Sequence, residues 1–465
     1  METEHLLPAE GGQSDSSDMT GSNQLPARLS GLYKVYRRRW LMLAIFTLYS
    51  VANAAQWIQY SIISNVIQRY YGVSSYAVDW TSIVYMITFP PFIFPASAFL
   101  ERMGLRKFVI IGAFGTSLGS WIKCGSIAPD RFWVTLIGQT IVATCQVFIL
   151  GVPPHLASVW FGSEQVSTAC SLAVFGNQLG VAAGFVLTPL AVTNHPNLED
   201  VGADLARMNY VVAGFCTAVF VLVVILFQEK PPLPPSLEML RRDPVGPSFL
   251  QPLKRLFTNP GYMLLSISFS INVAVFSALS TLLNQLMLLY FDNAEVFAGR
   301  VGLIFVLSGM AGSVVCGIIL DRTHWFKETS VVLYVVSTLS MLALTFILSY
   351  RSQMLVYGVS VILGAFTGAF MPVGFEFASE LTYPETESTT AGVMVAASQV
   401  LGVLVTMGYA CLMDLTGDVW ANVTLAGILV LGILFTVLIP PRLRRQAAHA
   451  AALKEVDDVT TAINA

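Results

Sequence analysis

Leu100-Glu101-Arg102-Met103-Gly104-Leu105-Arg106-Lys107 closes one long apolar run and opens the next. Gly317-Ile318-Ile319-Leu320-Asp321-Arg322 does the same, its acidic–arginine pair lying 220 residues after the first. The runs around these two loops explain the recurrence. A helix crosses the hydrocarbon core with about 20 apolar residues. Between polar breaks the chain offers twelve such stretches: 40–63, 80–100, 108–127, 132–154, 167–191, 209–228, 261–290, 300–320, 329–349, 354–376, 389–411 and 420–440. The charged loops then follow the second and eighth spans, six apart. The expected fold is an all-α membrane protein of twelve transmembrane helices in two pseudo-symmetric six-helix halves.

Composition agrees. Of 465 residues, 55% are hydrophobic and only 11% charged, where a soluble domain carries about 25% charged residues. The mean hydropathy is +0.67. A soluble enzyme of this length would lack polar residues to cover its surface. A formal net charge of −3 offers no basic face to nucleic acid. The runs are continuous rather than alternating, which favours helices over a barrel. Residues 1–36 read as a polar, disordered cytoplasmic tail without an apolar signal segment. Residues 37–228 form the first half, 229–259 a proline-rich cytoplasmic linker, 260–440 the second half, and 441–465 a second polar tail. The ninth and tenth spans are separated only by Ser349-Tyr350-Arg351-Ser352-Gln353.

Basic residues set the orientation. With the N-terminus inside, 19 Lys and Arg fall on inner segments and six on outer ones: Arg69, Lys123, Arg131, Arg207, Arg300 and Arg351. Both termini and the linker are therefore expected in the cytoplasm. The six cysteines are scattered, with no metal-ligand spacing, and read as packing residues. The only N-x-S/T sequon, Asn422-Val423-Thr424, abuts the last span.

The same repeat can be followed into the membrane. Gln178 in the fifth span maps onto Gln399 in the eleventh at an offset of 221, and Trp57 in the first onto Ser277 in the seventh at 220. Buried amides need partners, and these two either join helices or meet a ligand. Glycines nearby (Gly176, Gly180, Gly402) permit close approach of backbone or ligand. The first, fifth, seventh and eleventh spans are expected to line one central cavity, as in transporters built from repeats. Glu376 ends the tenth span, and Asp79 and Asp414 lie near outer ends. No mid-span acidic relay and no in-membrane arginine for an anionic substrate are evident. An aromatic face remains: Trp57, with Tyr85, Met86, Phe276 and Tyr60, suits a quaternary ammonium through cation–π attraction, about 0.5–2 kcal/mol per ring. A packing or interfacial role is the alternative for Trp57. A porphyrin is the competing ligand, but His5, His155, His195, His324 and His449 all fall in tails or near span ends.

The charged loops resemble the G-x-x-x-D-R-x-G-R-R signature of the major facilitator superfamily. It is intact at its end in the first half and at its start in the second. Acidic–arginine pairs there would latch helix ends on the inner side; Glu101, Arg102, Arg106, Asp321, Arg322 and Glu376 are the candidate inner-gate charges. Longer runs resemble the feline leukaemia virus subgroup C receptor family within that superfamily. They include Arg37-Arg38-Arg39-Trp40, Gln56-Trp57-Ile58-Gln59-Tyr60-Ser61-Ile62-Ile63-Ser64-Asn65, Trp121-Ile122-Lys123-Cys124-Gly125-Ser126 and Gln146-Val147-Phe148-Ile149-Leu150-Gly151. Ala157-Ser158-Val159-Trp160-Phe161-Gly162, Ser167-Thr168-Ala169-Cys170, Gly176-Asn177-Gln178-Leu179-Gly180, Ser280-Thr281-Leu282-Leu283-Asn284-Gln285 and Gly374-Phe375-Glu376-Phe377-Ala378 extend the match, which runs from about 37 to 445.

The resemblance implies transport of choline and ethanolamine, with heme as an older assignment for the family. It implies that Trp57 faces the ammonium, that Gln178 and Gln399 line the site, and that Tyr85 and Met86 form part of its wall. Where the family has a Phe-Tyr pair, this chain has Phe276-Ser277, so any second ring comes from Phe276 or elsewhere. The leading expectation is a facilitative carrier for choline-like amines, with heme transport as the rival. A non-transporting receptor or a multi-pass membrane enzyme is the third reading, although no catalytic cluster is visible at a membrane face. The remaining expectations are a monomer, no cofactor or metal, and only small-molecule substrate and membrane lipids as partners. The plasma membrane is the expected location, with endoplasmic reticulum and mitochondrial membranes as alternatives.

Overall fold

A computed structural model describes residues 34–162, 165–235, 250–383, 385, 387–440 and 444. The tails expected at 1–36 and 441–465 lie almost wholly outside these residues. The first half contains α1 (Arg38–Ile58), α2 (Ser64–Tyr71), α3 (Ser75–Met103), α4 (Leu105–Cys124), α5 (Phe132–Cys145), α6 (Val147–Leu150), α7 (Pro153–Trp160), α8 (Val166–Ala191) and α9 (Leu198–Leu226). A short helix, α10 (Leu250–Thr258), precedes the second half. That half contains α11 (Pro260–Leu288), α12 (Glu295–Thr323), α13 (Phe326–Leu348), α14 (Gln353–Thr382), α15 (Glu387–Thr416) and α16 (Asp418–Leu438).

Eleven helical segments among the described residues are long and apolar enough to cross a membrane, counting α1–α2 and α5–α6 as one span each. The remaining expected span is α4, 20 residues long. Gly112, Gly115, Gly119, Thr116, Ser117, Ser120 and Lys123 make it less apolar. Those small residues serve packing: a Cβ at Gly119 would stand 2.6 Å from the Gly138 carbonyl of α5. Thus α4 packs lengthwise against α5 and α9.

Three segments depart from the sequence expectation. The sixth span begins at Leu198 rather than 209, because Asn197 caps its N-terminus through Glu199 N at 3.2 Å. Its first turns carry Glu199, Asp200 and Asp204, acids that suit a helix N-terminus. The fourth span is not one helix but α5, α6 and α7 in series. The linker is not entirely loop either. In α10, Leu256 is buried while Arg255 reaches Glu385 at 3.2 Å.

Small residues set the helix pairs. Gly176, Gly180 and Gly184 of α8 lie on Thr47, Val51 and Ala55 of α1 in parallel register, where a Cβ would approach to 2.4–2.9 Å. Gly309 and Gly312 of α12 meet Gly364, Ala365 and Gly368 of α14 in the same way. Such close backbone approach is the usual way helices associate in lipid. Likewise α11 packs along α15. The halves meet where α3 contacts α15, where α8 contacts α12, and where the segment after α1 touches α11.

Candidate functional site

The site begins where the first span breaks. Helix α1 stops at Ile58, a 3-10 turn covers Ser61–Ile63, and α2 resumes at Ser64. Backbone carbonyls freed inside a membrane must find other donors. Here side chains supply them: Gln139 Nε2 donates to Gln56 O at 2.6 Å, Ser82 Oγ to Trp57 O at 2.9 Å, and Ser61 Oγ to Ile58 O at 3.2 Å.

Trp57 therefore sits on the last turn before the break, only 9% exposed. Its indole lies over Phe276 of α11, centroids 6.4 Å apart and planes 24° from parallel. Phe276 in turn stacks on Phe305 of α12 at 5.2 Å and 15°. The three rings thus join the two halves. Ser277 is buried beside Phe276 and adds no ring. A small apolar cavity borders Phe305, lined also by Leu279, Leu283, Val301 and Leu344, with room for about one water. Tyr85 and Met86 are buried in the same cluster as Trp57. The Met86 sulfur lies 3.1 Å from where a Cβ on Gly402 would stand, which places α3 against α15. The Tyr85 hydroxyl is buried and makes no hydrogen bond.

Gln178 and Gln399 are half-buried on α8 and α15. Neither side chain forms a hydrogen bond among the described residues. The glycine register fixes the depth of Gln178: Gly176 sits on Thr47 and Gly180 on Val51, so Gln178 is level with Tyr49 and Ser50. At 1.5 Å per residue that is ~11 Å along the helix axis from Trp57. The neighbouring Asn177 is occupied, donating to Ser50 Oγ at 3.2 Å. The rings are thus brought into contact, while the amide of Gln178 stands about two turns away from them.

One end of the molecule is closed. Glu295 Oε1 of the second half accepts from Asn65 at 2.6 Å and Asn194 at 3.1 Å, both of the first half. Gln285 Nε2 donates to Asp79 Oδ1 at 2.8 Å, again between halves. Phe185 and Pro189 pack on Gly299 and Gly302, which leave no room for a Cβ. Nearby, Tyr290 donates to Asp418; burial first, then that carboxylate, pushes its phenol up to about 12.

The candidate gate charges lie at the other end. Arg102, Arg322 and Glu376 are exposed, and the side chains of Glu101 and Asp321 fall outside the described residues. Arg106 Nη2 donates to Val224 O at 3.1 Å. A different carboxylate anchors this loop. Glu229 accepts from Leu105 N at 2.7 Å and Arg106 N at 2.9 Å, capping α4 just after Gly104, whose φ is +83°. Its negative charge at a helix N-terminus is favourable.

Sequence reasoning missed two sets of residues. Asn65 and Gln285 end runs that carry the family resemblance, yet no role was read for them, and Asn194 and Glu295 lie in stretches without a motif. Lys123, assigned to an outer loop, is instead 1% exposed inside the first half. Removing it leaves five basic residues in the outer set. The sequon is also settled: Asn422 is fully buried and accepts from the Tyr409 hydroxyl at 2.6 Å, so no glycan can be attached there.

Two helical halves, one polar clasp between them and a shared ring stack at the centre describe a membrane carrier. The Major Facilitator Superfamily profile matches residues 45–407. The chain belongs to that superfamily and, within it, to the feline leukaemia virus subgroup C receptor family. It is 45% identical to the zebrafish (Danio rerio) "Choline/ethanolamine transporter flvcr2a" over 90% of this chain and 89% of that one. It is 42% identical to the human (Homo sapiens) "Choline/ethanolamine transporter FLVCR2" over 90% and 81%. The cat (Felis catus) FLVCR1 transporter of the same description is 42% identical over 95% and 78%. Among solved structures, a bacterial homologue of the human lysosomal transporter Spinster superposes with a TM-score of 0.70 at 12% identity, covering 89% of this chain and 99% of the other. The transporter FucP gives 0.63 at 14%, covering 87% and 99%. These two likenesses concern the fold alone. The chain is accordingly a multi-pass membrane protein.

Proposed function

We propose that this protein carries choline and ethanolamine across the membrane by facilitated alternating access. The observation that carries the reading is the Trp57–Phe276 ring pair, which joins the halves at the break in the first span. Supporting it, the relatives named above are described as choline/ethanolamine transporters. An ammonium held by ring faces sits within about 6 Å of each centroid. At 6.4 Å the two rings touch each other and leave no space between them for a trimethylammonium group. Binding therefore requires Phe276 to move aside, or the ammonium to occupy the free face of one ring. Gln178 and Gln399 are then the groups for the hydroxyl at the other end of the ligand. Choline and ethanolamine are only three bonds long between nitrogen and oxygen, so side-chain reach or a shift of the helices must shorten the ~11 Å axial offset before one molecule meets both ring and amide.

The clasp of Asn65, Asn194, Asp79, Gln285 and Glu295 is read as the closed outer gate. With both termini in the cytoplasm, this conformer faces inward. Glu101, Arg102, Arg106, Asp321, Arg322 and Glu376 would latch the inner end when the halves rock the other way. The plasma membrane is the proposed location and a monomer the proposed state.

Purified protein in liposomes should take up radiolabelled choline and ethanolamine down their gradients. An inside-negative potential should accelerate both, because the cargo carries the charge. Uptake of neither amine, by protein whose fold is verified by thermal unfolding, would refute the reading. Heme uptake that choline does not inhibit would favour the rival instead.

A further inference from the structure

The first half encloses a cation that the transport reading does not use. Lys123 lies at the end of α4, and its ammonium meets three amide oxygens: Gln56 Oε1 at 2.6 Å, Gln139 Oε1 at 3.0 Å and Gln59 Oε1 at 3.2 Å. The Tyr60 ring stands 5.4 Å away as a fourth wall. Among the described residues no carboxylate pairs with it. An ammonium has three protons, and each finds one oxygen. A buried charge is tolerable only when hydrogen-bonded in this way.

The cage is built for the lysine. Its stem crosses Gly138, where a Cβ would come within 2.6 Å of Lys123 Cγ. The amides are themselves oriented. Gln56 Nε2 donates to Ala52 O at 2.8 Å, Ser120 Oγ donates to Gln56 Oε1 at 3.0 Å, and Gln139 Nε2 holds Gln56 O. Asn209 of α9 donates to the Lys123 carbonyl at 3.3 Å and accepts from Tyr60 at 3.2 Å. Four helices, α1, α4, α5 and α9, therefore converge on the turn that follows Trp57.

We propose that Lys123 is a positioning residue for the amine site: it clamps Gln56 and Gln59 on either side of Trp57, and so fixes the indole against which the ammonium binds. This rests on the amine-carrier reading above. The clamp never touches the ligand, so its effect passes through the indole. A quaternary ammonium has no N–H and depends on ring faces. A primary ammonium also has three donors for any nearby oxygen. Loosening the indole should therefore weaken choline more than ethanolamine.

The test is substrate kinetics in liposomes for wild type, Lys123→Met, Lys123→Arg, Gln139→Met and Trp57→Phe, with rates scaled to folded protein. Expected for Lys123→Met is a choline KM raised about tenfold, an ethanolamine KM raised less than threefold, and partial recovery in Lys123→Arg. If Lys123→Met does not fold, Gln139→Met, which keeps the cation but removes one of its oxygens and the donor to Gln56 O, should shift the same ratio in the same direction. A fall in the amount of folded carrier, with both KM values and their ratio unchanged, would overturn the proposal and leave Lys123 a structural residue. An equal Lys123→Met effect with and without Trp57→Phe would also overturn it, because the effect would not pass through the indole. If wild type carries neither amine, the transport reading fails first. If Trp57→Phe shifts KM while the clamp variants do not, the clamp alone fails.

Discussion

Glu295 is the residue through which the clasp between the halves can be tested most sharply. It opens α12, is 6% exposed, and accepts two hydrogen bonds from the opposite half. A hydrogen bond to a charged group contributes about 1.5–3 kcal/mol. That figure is already net of the water the carboxylate regains when the clasp opens, so the two bonds together contribute at least about 3 kcal/mol. Glu295→Ala should thus lower the closed-to-open ratio by about 100-fold or more, at 1.4 kcal/mol per factor of ten. Glu295→Gln keeps an acceptor oxygen but loses the charge, and should fall between Ala and wild type.

Spin labels at Glu199→Cys and Asp292→Cys would report the change. Both positions are exposed, one at the start of α9 and the other in the loop before α12. Their distance distribution, read by double electron–electron resonance in liposomes, should gain a longer component in Glu295→Ala and a smaller one in Glu295→Gln. The same pair carried on an otherwise native background supplies the reference. Identical distributions in all three proteins would show that the clasp does not hold the halves together, and the alternating-access reading of this end would fall with it.

Three other outcomes are expected. Trp57→Ala should raise the choline KM about 2–30-fold, the loss of one ring face; unchanged KM at matched surface abundance would remove Trp57 from the site. Gly184→Val should unfold the first half at lower temperature, because a Cβ there falls 2.4 Å from the Ala55 carbonyl. Gly214→Ala, with nothing within 4 Å, should be neutral or stabilising by about 0.5–1 kcal/mol, so equal melting temperatures for the two variants would contradict the packing account. Finally, protein expressed in a glycosylating cell and treated with a glycan-cleaving amidase should show no mobility shift from Asn422; a shift lost in Asn422→Gln would contradict its burial.

The legible part of the sequence was whatever is periodic or repeated. Span positions follow from apolar runs and the six-plus-six division from the two charged loops; the offset between halves singled out Trp57, which meets Phe276, and an amide pair of which Gln178 stands about two turns away from the rings. What was not legible depends on contacts between distant segments. The break after Ile58 carries no glycine or proline, since Gln59 through Ile63 reads as more span. It persists because Gln139 and Ser82, from other helices, satisfy the freed carbonyls. A lysine near a helix end reads as a loop charge until three glutamine oxygens from two other helices surround it. Glu229 follows the first half in sequence but caps α4, 125 residues from Gly104.

The repeat also shows where the halves have diverged, and the difference has a mechanical consequence. Carried forward by 220 residues, the clamp residues Gln56, Gln59, Lys123, Gln139 and Asn209 become Phe276, Leu279, Ala343, Val359 and Leu429. Every polar member is replaced by an apolar one. Leu279 lines the small cavity beside Phe305, with Leu344 and Ser360 adjacent in sequence to the Lys123 and Gln139 counterparts. The first half thus holds the backbone and neighbours of its ring with directed bonds, while the second holds its rings by packing next to a small void. Directed bonds resist rotation of a side chain and its backbone, whereas a packing contact beside empty space forfeits little when a ring shifts. On the amine-carrier reading, Phe276 is therefore the one of the two touching rings expected to yield to an entering ammonium, with Trp57 as the surface proposed to meet the ligand.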